Sequence, residues 1–260
     1  MSLKVKIIKF SNQSRRKFFL VLTALGEMTR LVLGEDGSTN DPAGPRRETA
    51  VRVACVGDSI TFGSGLANPP QEAYSAVLGR RLGTGWDVRN FGVGGATLLD
   101  EGDKPYSKEK AHGDALAFKP DIVVIMLGTN DSKHRGDGSL ESDEAVENWR
   151  FKENYVPEYK ALIARFRRAN PAAKIYVCLP PPCFPGRWGI NNRTIRSELV
   201  PLIRMVAQEA DAQVIDLNTP FTDKASLFPD TVHPNAAGAR LMAATVFEAM
   251  TGKPLNTDAP

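Results

Sequence analysis

The amino-acid sequence predicts an α/β protein: a three-layer α/β/α sandwich built on a five-stranded parallel sheet. Three observations predict it. From residue 50 onward, short apolar runs alternate with longer stretches of helical spacing, the pattern of strand–helix–strand units. The run 121–127 is apolar without alternation after Asp121, as expected of a central parallel strand covered on both faces. The first three strand-like runs each end in a glycine-bearing turn, which would gather those turns at the carboxyl edge of one sheet.

The elements follow in order. Residues 51–56 form a short β-branched run that stops at a glycine. Residues 71–82 read as a helix, with Tyr74, Val77, Leu78 and Leu82 at helical spacing. The second strand is 86–91, followed by a short helix over 108–118. The third strand, 121–127, leads to a long helix over 143–169. The fourth strand, 174–179, is stopped by Pro180, Pro181 and Pro182. A helix over 192–210, a fifth strand over 213–217 and a final helix over 234–250 complete the set. Three units result: a basic leader and linker at 1–49, one domain at 50–252 and a tail at 253–260.

Charge and cysteines exclude some classes. The chain carries a formal net charge of +3. Residues 1–49 hold nine Lys/Arg and five Asp/Glu, or +4, so the remainder sums to −1. A nearly neutral body offers no basic stripe for nucleic acid. Cys55 and Cys178 lie in apolar runs and act as small hydrophobes, and with Cys183 they make an odd count without framework spacing. No pattern calls for a metal or a cofactor. In the leader, Lys4, Lys6, Lys9, Arg15, Arg16 and Lys17 precede the apolar run 18–25, the order of an export signal. Ser14-Arg15-Arg16-Lys17-Phe18-Phe19 resembles a twin-arginine signal, although Glu27 and Arg30 interrupt the apolar stretch. The expectation is export, with a cytoplasmic location the alternative. The run is too short to span a bilayer.

Four short blocks carry chemistry: Gly57-Asp58-Ser59, Gly94-Gly95, Gly128-Thr129-Asn130-Asp131 and Asp230-Thr231-Val232-His233. A strand running into Gly-Asp-Ser presents a hydroxyl and its own N–H at the sheet edge. Serine needs a neighbouring base to become a nucleophile. Asp230, three residues before His233 at a helix start, would share its face and accept the Nδ1 proton, leaving Nε2 for Ser59. His112 is expected on an exposed helix face. His134 is the rival base. Backbone N–H groups of Ser59 and Gly95, with the Asn130 amide, would meet the negative charge of an acyl-transfer intermediate. Each block has a plainer reading. Ser59 or Asp58 would cap a helix, Asp230 would cap the last helix, and Gly92-Val93-Gly94-Gly95 and Asn130 would shape turns. A dinucleotide reading of Gly92-x-Gly94 lacks its third glycine, since Thr97 stands there.

Together the blocks resemble the SGNH, or GDSL-type, hydrolase family over residues 51–250, and Ser59, Gly95, Asn130 and His233 match the residues that name it. The resemblance implies a flavodoxin-like fold and ester hydrolysis through an acyl-enzyme. Ser59, Asp230 and His233 would be catalytic, and Ser59, Gly95 and Asn130 would form the oxyanion hole. The loop 180–190 resembles those of sialate O-acetylesterases and related carbohydrate esterases. There Trp188 would stack on a sugar and Arg187 would meet a carboxylate or hydroxyl. Asp58 and Asp131 are further candidates for substrate contact. The partner expected is a small-molecule or saccharide ester, and acetyl on a sugar is the preferred substrate. A general arylesterase or lysophospholipase-type esterase, a non-catalytic carbohydrate-binding module and a nucleotide- or flavin-binding protein remain alternatives.

Overall fold

A computed structural model describes residues 50–254. The expected leader with its export signal, and most of the expected tail, lie outside the described residues. The described chain forms one five-stranded sheet of order β2-β1-β3-β4-β5, all pairs parallel. The strands are β1 (Val51–Gly57), β2 (Trp86–Gly92), β3 (Ile122–Met126), β4 (Lys174–Leu179) and β5 (Gln213–Asp216). The order reverses between β1 and β3, so a crevice opens at the carboxyl ends of those two strands.

Alternation along the strands builds two cores. Ala54 and Val56 of β1, with Val123 and Ile125 of β3, face α4 (Lys110–Ala117), α5 (Tyr155–Ala169) and α7 (Val200–Glu209). Val53 and Cys55, with Val124 and Met126, face α3 (Tyr74–Leu82) and α8 (Ala236–Thr251). Burial on both sides explains why β3 is apolar without alternation. All three cysteines are free and buried.

Four expectations need correction. The helix over 71–82 is two pieces, because Ala73 is extended between α2 (Pro69–Glu72) and α3. The helix over 143–169 begins only at Tyr155. Before it run short 3₁₀ turns at Ser142–Glu144 and Asn148–Asn154. Pro157 would drive its ring into the carbonyl of residue 153 in a longer helix. The stretch from 192 is helical as far as Glu209, but it widens between α6 (Asn192–Thr194) and α7 into one π-turn at Ile195–Leu199, where Val200 N–H reaches back to the Ile195 carbonyl. Pro201, which has no N–H, follows directly. The last helix starts at Ala236, with Asn235 as its cap, so Asp230 and His233 lie in the turn before it. Among the described residues no helix is long and apolar enough to cross a membrane.

Candidate active site

The four blocks meet at the carboxyl edge of β1, β2 and β3. Close backbone approach makes this possible. A Cβ on Gly57 would lie 2.6 Å from the Met126 carbonyl oxygen, and one on Gly92 would lie 2.3 Å from Phe62 N. Beyond Gly57 the chain enters the single turn α1 (Ser59–Phe62). Asp58 Oδ1 accepts from Ile60 N–H at 2.9 Å, so Asp58 is the cap and Ser59 is the first helical residue. Ser59 is half-buried, with its hydroxyl facing the crevice side occupied by His233.

His233 reaches that hydroxyl from 174 positions away, with Nε2 2.8 Å from Ser59 Oγ. Its Nδ1 is 2.6 Å from Asp230 Oδ2. The pair is built by the turn rather than by a helix face. Asp230 Oδ1 accepts from Val232 N–H at 3.0 Å and from His233 N–H at 2.7 Å, which fixes the carboxylate and the imidazole together. Thr231 occupies the left-handed region at φ 76, an uncommon conformation for a β-branched residue and a mark of local strain. Partial burial pushes the Asp230 carboxyl up. The His233 and Val232 N–H groups and the imidazole outweigh that, and the net position is below the usual carboxylate range.

The other two blocks sit beside this pair. Asn130 is buried, and its amide nitrogen donates to the Ala96 carbonyl at 3.2 Å, which leaves one amide hydrogen free. Gly95 has φ 78, a conformation that glycine adopts without penalty. Neither the Ser59 nor the Gly95 N–H has a protein acceptor among the described residues. Gly128, at φ 132, lies against Tyr155, whose hydroxyl donates to the Leu127 carbonyl at 2.9 Å and steadies the entry to the third block. Tyr155 offered no signal in the sequence beyond a helical apolar position.

Other candidates separate. Asp58 and Asp131 are fully buried, so neither faces a substrate. Asp131 instead accepts from Leu98 N–H and Leu99 N–H at 2.9 and 2.8 Å, clamping the loop after β2 to the third block. Burial pushes Asp58 up to about 7 and Asp131 up to about 6. Arg187 does not stand free: it holds Glu141 at 2.5 Å and lies over the Trp188 ring at 5.0 Å. Trp188 is 37% exposed, and its ring centroid is 6.0 Å from that of His233. His112, expected exposed, is buried between Tyr106 and Phe166, with Nδ1 3.1 Å from the Ser107 carbonyl oxygen. His134 is 3.8 Å from Glu147 and is part of no series with a hydroxyl. Among the described residues no group of three or more His, Cys, Asp or Glu side chains could hold a metal ion.

A hydroxyl, an imidazole and a carboxylate in series, at the open edge of a parallel sheet, are the constellation of the hydrolases that use serine. The chain belongs to the GDSL-like lipase/acylhydrolase family, whose model matches residues 55–241. It is 38% identical over 222 residues to an acetylxylan esterase of Xylanibacter ruminicola. That match takes in 78% of this chain but only 44% of the relative, so the chain spans less than half of that protein. An acetylxylan esterase of Geobacillus stearothermophilus is 26% identical over 212 residues, covering 74% of this chain and 90% of the relative. Among solved structures, an aryl esterase of M. smegmatis superposes with a TM-score of 0.58 at 21% identity, over 78% of this chain and 99% of that one.

Proposed function

We propose that this protein is a serine esterase that removes acetyl groups from carbohydrate through an acyl-enzyme. Ser59 attacks the ester carbonyl while His233 takes its proton, and Asp230 holds the imidazole in the required tautomer and balances its charge. The tetrahedral oxyanion is received by the Ser59 and Gly95 N–H groups and the free hydrogen of the Asn130 amide. His233 then returns the proton to the leaving sugar oxygen, and water repeats the sequence to release acetate. The observation that carries this reading is the 2.8 Å contact between His233 Nε2 and Ser59 Oγ, with Asp230 behind it at 2.6 Å.

Three observations support a sugar substrate. Trp188 offers part of an aromatic face beside His233. The relatives from Xylanibacter ruminicola and Geobacillus stearothermophilus are described as acetylxylan esterases. The loop that carries Trp188 emerges from the same sheet edge as Ser59. The order of basic then apolar residues at 4–25 supports export as part of the same proposal, and the mass of the intact secreted chain would test it.

The test is release of acetate from acetylated xylan, acetylated pectin and O-acetylated sialic acid, alongside p-nitrophenyl acetate. The expected result is turnover of the acetyl esters with poorer use of longer acyl chains. The Ser59→Ala variant is expected to lose about 10⁴-fold or more in kcat while remaining folded. Full activity in that variant would exclude Ser59 as the nucleophile. Glycan binding without acetate release would favour a binding protein instead.

A further inference from the structure

Lys104 lies beside the second block and belongs to none of the four motifs. Its ammonium donates to the Gly94 carbonyl at 2.9 Å. Its aliphatic stem runs beside Gly95, where a built Cβ would meet Lys104 Cδ at 3.8 Å. Gly94 C=O and Gly95 N–H belong to one peptide group. They point in opposite directions because that group is planar and trans. A cation fixed on the carbonyl therefore sets the direction of the N–H. It also draws electron density toward the oxygen and strengthens the N–H as a donor, the way serial hydrogen bonds polarise one another.

The glycines make such a restraint necessary. Gly94 and Gly95 lack side chains, Gly94 is exposed, and Gly95 sits at φ 78, so no side chain of their own restrains this peptide from rotating. No backbone bond restrains the Gly95 N–H, whereas Ala96 N–H is held by Val93 O at 3.1 Å. The base of Lys104 is itself fixed. Thr97 N–H donates to the Lys104 carbonyl at 2.8 Å, and Tyr106 N–H donates to the Thr97 carbonyl at 2.8 Å. The far end of the loop is held by Asp131 through Leu98 and Leu99.

We infer that Lys104 is a positioning residue of the oxyanion hole: it pins the Gly94–Gly95 peptide through the carbonyl so that the Gly95 N–H faces the tetrahedral intermediate. This rests on the esterase reading proposed above, and it assigns a role in that site to a residue outside all four blocks.

Three variants test it: Lys104→Met, which keeps the stem and loses the donor; Lys104→Arg, which keeps a cationic donor; and Ser59→Ala as the reference. With p-nitrophenyl acetate, Lys104→Met is expected to lower kcat by roughly 10- to 100-fold, less than deletion of an oxyanion donor, with KM within about twofold. Its affinity for a boronic acid that mimics the tetrahedral oxyanion is expected to fall in parallel. Lys104→Arg is expected to recover most of the loss. Thermal unfolding of all three should match the parent. An unchanged kcat and boronate affinity in Lys104→Met, with Ser59→Ala inactive, would overturn the inference and leave the esterase reading intact. A rise in KM alone would also overturn it, because that marks a contact to bound substrate. Activity that survives Ser59→Ala would instead sink the esterase reading itself.

Discussion

The site holds carboxylates pushed in opposite directions by their surroundings. Asp230 stays below its ordinary range because backbone N–H groups and the imidazole favour its charged form over the cost of burial. Asp58, one residue before Ser59, is held up to about 7, first by burial and further by the nearby charge of Asp131. Its Oδ1 caps α1, and the Thr129 side chain eases the shift only slightly. A buried acid that binds its proton more tightly in the fold than in the open chain favours the fold most below its ordinary value of 3.8. That advantage is lost as pH rises toward 7, and above it the fold bears the whole cost of an ionised Asp58. Asn fits the same space and accepts the same hydrogen bond without ionising. Asp58→Asn is therefore expected to equal the parent in stability near pH 4 and to exceed it near pH 8. The upper bound on that excess is about 4 kcal/mol, at 1.36 kcal/mol per pH unit. Urea unfolding at the two pH values measures the difference, and equal gaps at both would show that the fold does not raise the Asp58 carboxyl above its ordinary range. The same substitution leaves Ser59 and His233 untouched, so a matching change in kcat would reveal a reach into the chemistry that its burial argues against.

At the scale of elements, the strands were the most legible part, because burial on both faces writes a continuous apolar signal into β3 and a near-continuous one into β1 and β4. Each expected strand appears within one residue of its expected ends. The order of blocks along the chain also located the crevice, since a parallel sheet must place every strand's carboxyl end on one edge. Helix ends were less legible. The spacing of apolar residues over 143–169 continues through a stretch where Asn148 leaves the helix to donate to the Asn130 carbonyl at 2.9 Å, a tertiary bond that no local pattern announces. Pro157, in the first turn of α5, was a readable mark of where that helix starts that the apolar spacing hid. The Asp-x-x-His spacing pointed to the right pair for a different geometric reason, since an Asx-type turn rather than a helix face aligns them. The loop after β4 was legible as a proline-rich stretch carrying Trp188 and Arg187, but not in its shape. Its shape depends on Gly186, at φ 107, where a Cβ would fall 1.8 Å from the Ile190 carbonyl oxygen. Backbone cannot yield to that contact cheaply. Gly186→Ala is expected to cost more than about 2 kcal/mol, combining a steric clash with a conformation that disfavours side chains. It should also raise KM for an acetylated sugar more than for p-nitrophenyl acetate, because Trp188 is displaced while Ser59 and His233 keep their places. A thermal shift with unchanged KM ratios would mean that the loop holds Trp188 without Gly186.

Across the whole molecule, the charge balance bears on which of the proposed esters the crevice would favour. Residues 50–260 sum to −1, so there is no broad positive field to gather an anionic polysaccharide. The guanidinium over the Trp188 ring is already occupied: Arg187 gives Nη2 and Nε to Glu141 Oε1 at 2.5 and 3.0 Å. That pair is carried on two segments joined by backbone bonds, with Leu140 N–H donating to the Gly186 carbonyl at 3.1 Å and Trp188 N–H to the Leu140 carbonyl at 2.6 Å. With Arg187 paired, the proposed sugar contact rests on the partly exposed face of Trp188, which carries no charge to attract a sialic or uronic acid. The pair itself is exposed to solvent, which screens it, so it contributes little to stability. Removing Glu141 should therefore change selectivity without changing the fold. Glu141→Ala frees a guanidinium 5.0 Å from the Trp188 ring, suited to a bidentate grip on a carboxylate. The parent is expected to release acetate from acetylated xylan faster than from O-acetylated sialic acid. The variant should narrow that ratio by several-fold, chiefly through a lower KM for the acidic sugar, and the gain should shrink as salt is raised because the new contact is exposed. A ratio that does not move, or one that moves equally at low and high salt, would show that the rim selects its sugar by shape rather than by charge.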